Sequence, residues 1–215
     1  MKLGVAIPCF INHIEQCYAL LESINQQTRI PDQVVVSCSS SKETDFIKRE
    51  YKFPLIVITT EDRQIAAQNR NAAAKLLDTD IIAFMDADDV MHPQRLEIIE
   101  KAIEGGADIV LHNYFYDNEC DQPFPYINNY HILTNVLEQC ISGCIKFKSG
   151  APIFRIHHSQ VSVPKRIFEK VQFSVEAVGK EDCVFCHNIF DIPNIQSAFI
   201  PWQLSKYTPS RTSLA

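Results

Sequence analysis

The chain has 215 residues, of which 46% are hydrophobic and 21% charged, and its net charge is −6. This is the composition of an ordinary globular protein with enough length for a substantial core, and the acidic balance argues against bulk nucleic-acid binding. No apolar run approaches the roughly 18 residues of a spanning helix, so no integral membrane segment is expected. The opening Met-Lys-Leu-Gly-Val-Ala-Ile-Pro reads as a strand rather than a signal peptide, which predicts a cytoplasmic location.

In chain order, residues 3–7 read as a strand. Asn12 and Glu15 have capping-box spacing for a helix running to about Gln27, with Ile14, Cys17, Tyr18, Leu21 and Ile24 at helical intervals. Residues 34–37 and 55–59 read as strands, and the alanine-rich stretch 65–77 as a helix. Residues 81–85 are a fourth strand. Pro93 and Gly105-Gly106 bracket a further helix, and residues 109–111 form a short fifth strand. This alternation predicts a mainly parallel, doubly wound α/β sheet. Beyond about residue 112 the rhythm is lost. A helix is expected through about Phe147, a strand over 160–163, a short helix over 164–170 and a helix over 181–190. The last ten residues read as loop or tail, and the whole as one domain, with residues 1–112 and 113–215 as its two halves.

Cysteines stand at positions 9, 17, 38, 120, 140, 144, 183 and 186, spread through strands and helices. With no secretion signal this pattern predicts free thiols. Cys183-x-x-Cys186-His187 has zinc-ligand spacing, but no second pair matches it, Cys140-x-x-x-Cys144 being the nearest.

Residues Ile81 to Asp89 carry the clearest chemistry. An apolar strand runs into Asp86, Asp88 and Asp89. On strand alternation Asp86 and Asp88 point the same way. Two such carboxylates repel unless a cation lies between them, and hard oxygen ligands suit Mg²⁺ or Mn²⁺ completed by water and substrate phosphate. The same spacing also fits Asp88 or Asp89 capping the next helix, and spacing alone leaves both readings open.

Five segments in register resemble the family 2 glycosyltransferases, which have the GT-A fold. Ile7-Pro8-Cys9-Phe10-Ile11-Asn12 is similar to the family's Pro-x-Tyr-Asn turn, with Phe10 in place of tyrosine. Arg70-Asn71 resembles its Arg-Asn pair, and Asp86-Ala87-Asp88-Asp89 its Asp-x-Asp motif. His92-Pro93 with Arg95-Leu96 resembles the helix that follows. Phe173-Ser174-Val175-Glu176 and Gly179-Lys180-Glu181-Asp182 resemble the segment holding the catalytic base. Where the family carries Asp-Asp-Gly-Ser after its second strand, this chain has Ser37-Cys38-Ser39-Ser40.

The resemblance implies a single GT-A domain with a nucleotide-sugar half and a more irregular acceptor half. It implies an inverting transferase that takes a sugar from a nucleoside diphosphate, uridine above all, to a hydroxyl acceptor such as a glycan. Asp86 and Asp88 would hold Mn²⁺ or Mg²⁺, and Asp182 would be the base. Pro8, Phe10, Ser37, Ser39, Arg70, Asp86, Glu181 and His157 would line the substrates. His158, Tyr207 and Arg211 are looser candidates, and Trp202, though able to stack on a sugar, is expected in the core. A sugar nucleotidyltransferase would need glycines in the turn after the first strand, which has none. A binding domain without turnover is the non-enzymatic alternative, kept open by Ser37–Ser40.

Overall fold

A computed structural model describes residues 1–116, 123–139, 145–151 and 158–208. The strands are β1 (Leu3–Phe10), β2 (Gln33–Ser39), β3 (Leu55–Thr60), β4 (Ile81–Phe84), β5 (Val90–Met91), β6 (Ile109–Tyr116), β7 (Leu133–Thr134), β8 (Leu137–Gln139), β9 (Ile145–Phe147), β10 (Ser162–Pro164) and β11 (Ser197–Tyr207). The helices are α1 (Ile14–Asn25), α2 (Ala66–Leu76), α3 (Arg95–Glu104), α4 (Lys165–Phe168) and α5 (Glu181–Phe190). Among the described residues one sheet has the order β3-β2-β1-β4-β10-β6-β11-β5, with β7 on the free edge at the start of β11 and β8 and β9 forming a separate two-stranded antiparallel sheet.

Strands β1 to β4, β6 and β11 run in one direction, and β10 is inserted antiparallel between β4 and β6. The mainly parallel α/β expectation holds. Helices cover both faces, because alternate residues of the central strands face opposite layers. Leu3, Val5 and Ile7 pack with α1 and α3, whereas Ala6, Ile82 and Phe84 pack with α2, α4 and α5. The alanines of α2 let it lie close to the sheet. A Cβ on Gly4 would meet Leu77 Cδ2 at 2.6 Å and Thr79 Oγ1 at 2.7 Å, so a larger residue there would push these two buried side chains aside beneath the end of α2.

Three expectations are corrected. Residues 11–13 form a 3₁₀ turn and α1 begins at Ile14 with no side-chain cap, so Asn12 and Glu15 form no capping box. The helix expected up to Phe147 is replaced by the short strands β7, β8 and β9. Ile132, Leu133, Val136 and Leu137 imitate a helical stripe, but Asn135 between them takes φ +54, which a continuous α-helix does not allow. Its backbone N–H and side-chain oxygen bond the carbonyl and amide of Ser197. The third correction is β11, an 11-residue strand that the sequence reading did not anticipate and that enters the expected tail. Pro201 masks it in the sequence. The strand tolerates this proline at a register shift between Ile200 and Gln203.

Candidate active site

The site gathers where β1 and β4 end, on the side of the sheet covered by α2 and α5. Arg70, on α2, is its centre. Its side chain is only 3% exposed, and its fork spans two carboxylates: Nη2 to Asp86 Oδ1 and Nη1 to Glu181 Oε1, both at 3.1 Å. The guanidinium lies 5.4 Å from the centre of the Phe173 ring, which stacks on Phe185 at 4.1 Å. Burial alone would lower the pKa of Arg70. The charges of Asp86, Asp182 and Glu181 outweigh it and hold the pKa above the usual arginine value.

Asn71, the next residue, explains why the pair is adjacent. Its Nδ2 donates to Phe173 O at 2.8 Å, and its Oδ1 accepts the Phe173 N–H at 3.0 Å. This clips the segment leading into α5 onto α2. Arg70 can then meet the acids of the first turn of α5, Glu181 and Asp182. Asp182 is partly exposed. Glu181 Oε2 is buried without a hydrogen-bond partner among the described residues.

The carboxylate motif departs from its sequence reading. Strand β4 stops at Phe84, and residues 86–89 form a tight turn closed by the Asp89 N–H on Asp86 O at 3.2 Å. Strand alternation therefore does not set the directions of Asp86 and Asp88. Nor do these acids cap a helix, since α3 starts at Arg95 with Gln94 before it. Asp86 and Asp88 stay partly exposed, whereas Asp89 is buried. Asp89 accepts the Ser159 hydroxyl at 2.5 Å and the Thr208 N–H at 2.9 Å. Burial first, then the charges of Asp86 and Asp88, raise its pKa well above the usual carboxylate value.

At the ends of β1 and β2 the hydroxyls face inward. Ser37 Oγ donates to Asn69 Oδ1 at 3.1 Å, and Asn69 Nδ2 donates to Ser39 Oγ at 3.0 Å and to Cys9 O at 3.1 Å. Ser37, Ser39, Asn69 and Pro8 are all buried. Phe10 is partly exposed, with the Arg63 guanidinium 5.7 Å above its ring. Ser37 and Ser39 thus brace the wall of the site in this structure, through an Asn69 that the sequence reading passed over.

Tyr207 ends β11 beside the carboxylate turn. Burial, then Asp89, Asp86 and Asp88, push its pKa up to about 12. Trp202, expected in the core, is 36% exposed on β11. His157, Arg211, Cys140 and Cys144 lie outside the described residues, as does the side chain of His158. Cys9, Cys17, Cys38, Cys183 and Cys186 are free thiols. Among the described residues no three His, Cys, Asp or Glu side chains gather as a metal cluster. Asp86 and Asp88 nevertheless suit a hard divalent cation that takes its other ligands from water and phosphate. Sequence reasoning also missed Ser159, which belongs to no motif and carries no signal beyond being small and polar.

Comparison with known proteins agrees with this architecture. Crystal structures of S. aureus TarS 1–349 superpose with TM-scores of 0.70 for the complex with UDP and 0.72 for the complex with UDP-GlcNAc. Identities are 18% and 17%, and each superposition covers 98% of this chain and 61% or 59% of the other. The fold is of the GT-A type. The pattern of glycosyl transferase family 2 matches residues 5–168. The chain belongs to that family and is a glycosyltransferase domain. An uncharacterized glycosyltransferase of Haemophilus influenzae is 34% identical over 114 residues, 53% of this chain and 37% of that one. The uncharacterized glycosyltransferase YwdF of Bacillus subtilis is 31% identical over 105 residues, 48% and 39% of the two chains. The matched stretch thus spans well under half of either relative. Among the described residues no helix is long and apolar enough to cross a membrane.

Proposed function

We propose that this domain is an inverting, metal-dependent glycosyltransferase that moves a sugar from a nucleoside diphosphate, uridine diphosphate first, to a hydroxyl of a glycan. The observation that carries this reading is the cluster Arg70–Asp86–Glu181–Asp182, which joins the diphosphate-side carboxylate to the acids of α5 through one buried guanidinium. TarS, of the same fold, binds UDP and UDP-GlcNAc, which favours a uridine nucleotide here. A cytoplasmic, reducing setting would suit the free thiols.

In this reading the acceptor oxygen forms a bond to the anomeric carbon from the face opposite the diphosphate. The carbon–oxygen bond to the diphosphate breaks with its electron pair leaving on the phosphate oxygen. The acceptor proton passes to the Asp182 carboxylate, the general base. Glu181 Oε2, buried without a hydrogen-bond partner among the described residues, would accept a hydroxyl of the sugar. Arg70 bridges Asp86 and Glu181, offsets their mutual repulsion and would lend its fixed charge to the developing diphosphate. Mn²⁺ or Mg²⁺ on Asp86 and Asp88 would supply Lewis-acid stabilisation of that leaving group. Phe10, with Arg63 over its ring, would stack on the nucleotide base, and Pro8, Ser37 and Ser39 would form the wall behind it.

Titration calorimetry with UDP tests the donor side. Affinity should be higher in Mn²⁺ than in EDTA, and equal affinity in both would sink the metal assignment. Release of UDP from UDP-sugars in the presence of Mn²⁺ separates an enzyme from a binding domain.

A further inference from the structure

The three aspartates of the turn divide their work, and the buried one leads to residues with no role in the chemistry above. The Asp86 N–H donates to Ser159 Oγ at 3.0 Å, and the Ser159 hydroxyl donates to Asp89 Oδ2 at 2.5 Å. Asp89 Oδ1 accepts the N–H of Thr208, the residue just after β11, at 2.9 Å. Beneath them Arg95, fully buried, donates through Nη2 to Phe84 O at 3.1 Å and to Ser159 O at 2.9 Å. Its Nε donates to His112 Nε2 at 2.8 Å. One connected set of bonds therefore reaches the last residue of β4, the first residue of the carboxylate turn and the end of β11. The register agrees, since Lys206 pairs with Val90 directly after the turn.

We propose that Ser159, Asp89 and Arg95 are positioning residues for donor binding. They preset the main chain of the turn that carries Asp86 and Asp88, and they fasten Tyr207 beside it as a wall of the site. The inference rests on the donor reading above. The electrostatics favour a positioning role over a purely stabilising one. A third carboxylate buried beside Asp86 and Asp88 is costly, and for stability alone a well-packed apolar side chain serves as well or better. What the charged groups do here is hold the backbone on either side of the turn, Asp89 the Thr208 N–H and Arg95 the Phe84 and Ser159 carbonyls, so that the Ser159 hydroxyl is fixed where it accepts the Asp86 N–H. Supporting shells of this kind hold ligating groups in place, and their loss typically costs about 10- to 100-fold in metal affinity or activity.

The test compares the parent protein with Ser159→Ala and Asp89→Ala, well below their melting temperatures. UDP binding is titrated in Mn²⁺ and in EDTA, and hydrogen exchange is followed in peptides spanning residues 200–208. Both variants should bind UDP about 10- to 100-fold more weakly in Mn²⁺ and with unchanged affinity in EDTA. The Thr208 amide should exchange faster in both. If either folded variant melts earlier yet keeps the parent's Mn²⁺-dependent affinity, the residues are structural only and the proposal falls. Two variants guard against one failing to fold. A parent protein that does not bind UDP in either condition overturns the donor reading and this proposal with it. A parent that binds, with variants that bind equally, overturns this proposal alone.

Discussion

Two buried arginines bracket the carboxylate turn, and they sit in opposite electrical surroundings. Arg70 forks between Asp86 and Glu181, with Asp182 near, and its pKa is raised. Arg95 is bonded to two carbonyls and a histidine, and burial lowers its pKa to about 9, with Asp89 as its one carboxylate influence. His112 is held neutral by burial first and by the Arg95 charge second. Arg70 therefore concentrates charge where a substrate can meet it, and Arg95 spends its donors on the backbone. Both are buried and both flank the same motif, so burial alone does not distinguish a chemical arginine from a bracing one. The partners do.

The sharpest way to break this contrast is at the acids around Arg70. Asp182→Asn should lower sugar transfer by about 10²-fold or more, the scale of losing general-base assistance, with donor binding nearly unchanged. Glu181→Gln should do less, because it removes a charge from the cluster without removing the base. Parent-level transfer by Asp182→Asn with an inactive Glu181→Gln would show the roles reversed. Full activity in both would make the start of α5 a helix cap and nothing more.

Next in size is Arg70→Lys. The charge survives, but a single ammonium cannot fork to Asp86 and Glu181 at once. One charge-assisted hydrogen bond is worth about 1.5–3 kcal/mol, so transfer should drop by about tenfold or more. Calorimetry and initial rates check this, and unchanged kinetics would make the fork incidental.

How much of this was legible in the sequence follows the same division. The residues around Arg70 were readable because they stand in recognisable short motifs: Arg70-Asn71, Asp86-x-Asp88, Glu181-Asp182. The strand and helix alternation up to β6 was readable, apart from the two-residue β5, because its hydrophobic periods are clean. The bracing side was not. Ser159 and Thr208 come from distant parts of the chain and meet Asp89 only through tertiary structure, across sequence separations of 70 and 119 residues. The later strands escaped for local reasons: Asn135 breaks an apparent helical stripe, and Pro201 interrupts a real strand. Asn69 looked like one more polar residue on an alanine-rich helix, yet its carboxamide ties β1, β2 and α2 together.

A pH titration of stability sharpens the bracing side. The pKa of Asp89 is raised in the folded state by burial and by its acidic neighbours. The folded protein therefore keeps this proton to higher pH than the unfolded chain, and stability is lost as pH rises from the ordinary value of 3.8 through the folded value. Asp89→Asn cannot ionise and should lack that loss. In EDTA, the melting temperature of the parent relative to Asp89→Asn should be most favourable near pH 4 and should decline toward neutrality. A difference that is flat across this range would mean that Asp89 ionises normally.

The smallest expected effect on stability falls on the aspartate with the largest expected effect on metal. Asp88 lies past the strand end in a partly exposed position, and it is one of the two carboxylates, with Asp89, whose spacing fits a helix cap. Helix α3 begins too far away, at Arg95, for that role. A substitution of nearly equal size at a partly exposed position usually changes stability by no more than about 0.5 kcal/mol. Asp88→Asn keeps the size of the side chain and removes one hard ligand charge. Its melting temperature in EDTA should therefore match the parent's, while the gain in UDP affinity on adding Mn²⁺ should be largely lost. Binding that still responds fully to Mn²⁺ would move the metal off Asp88. A large fall in melting temperature would instead make Asp88 a structural carboxylate like Asp89, and the division of labour within the turn would be wrong.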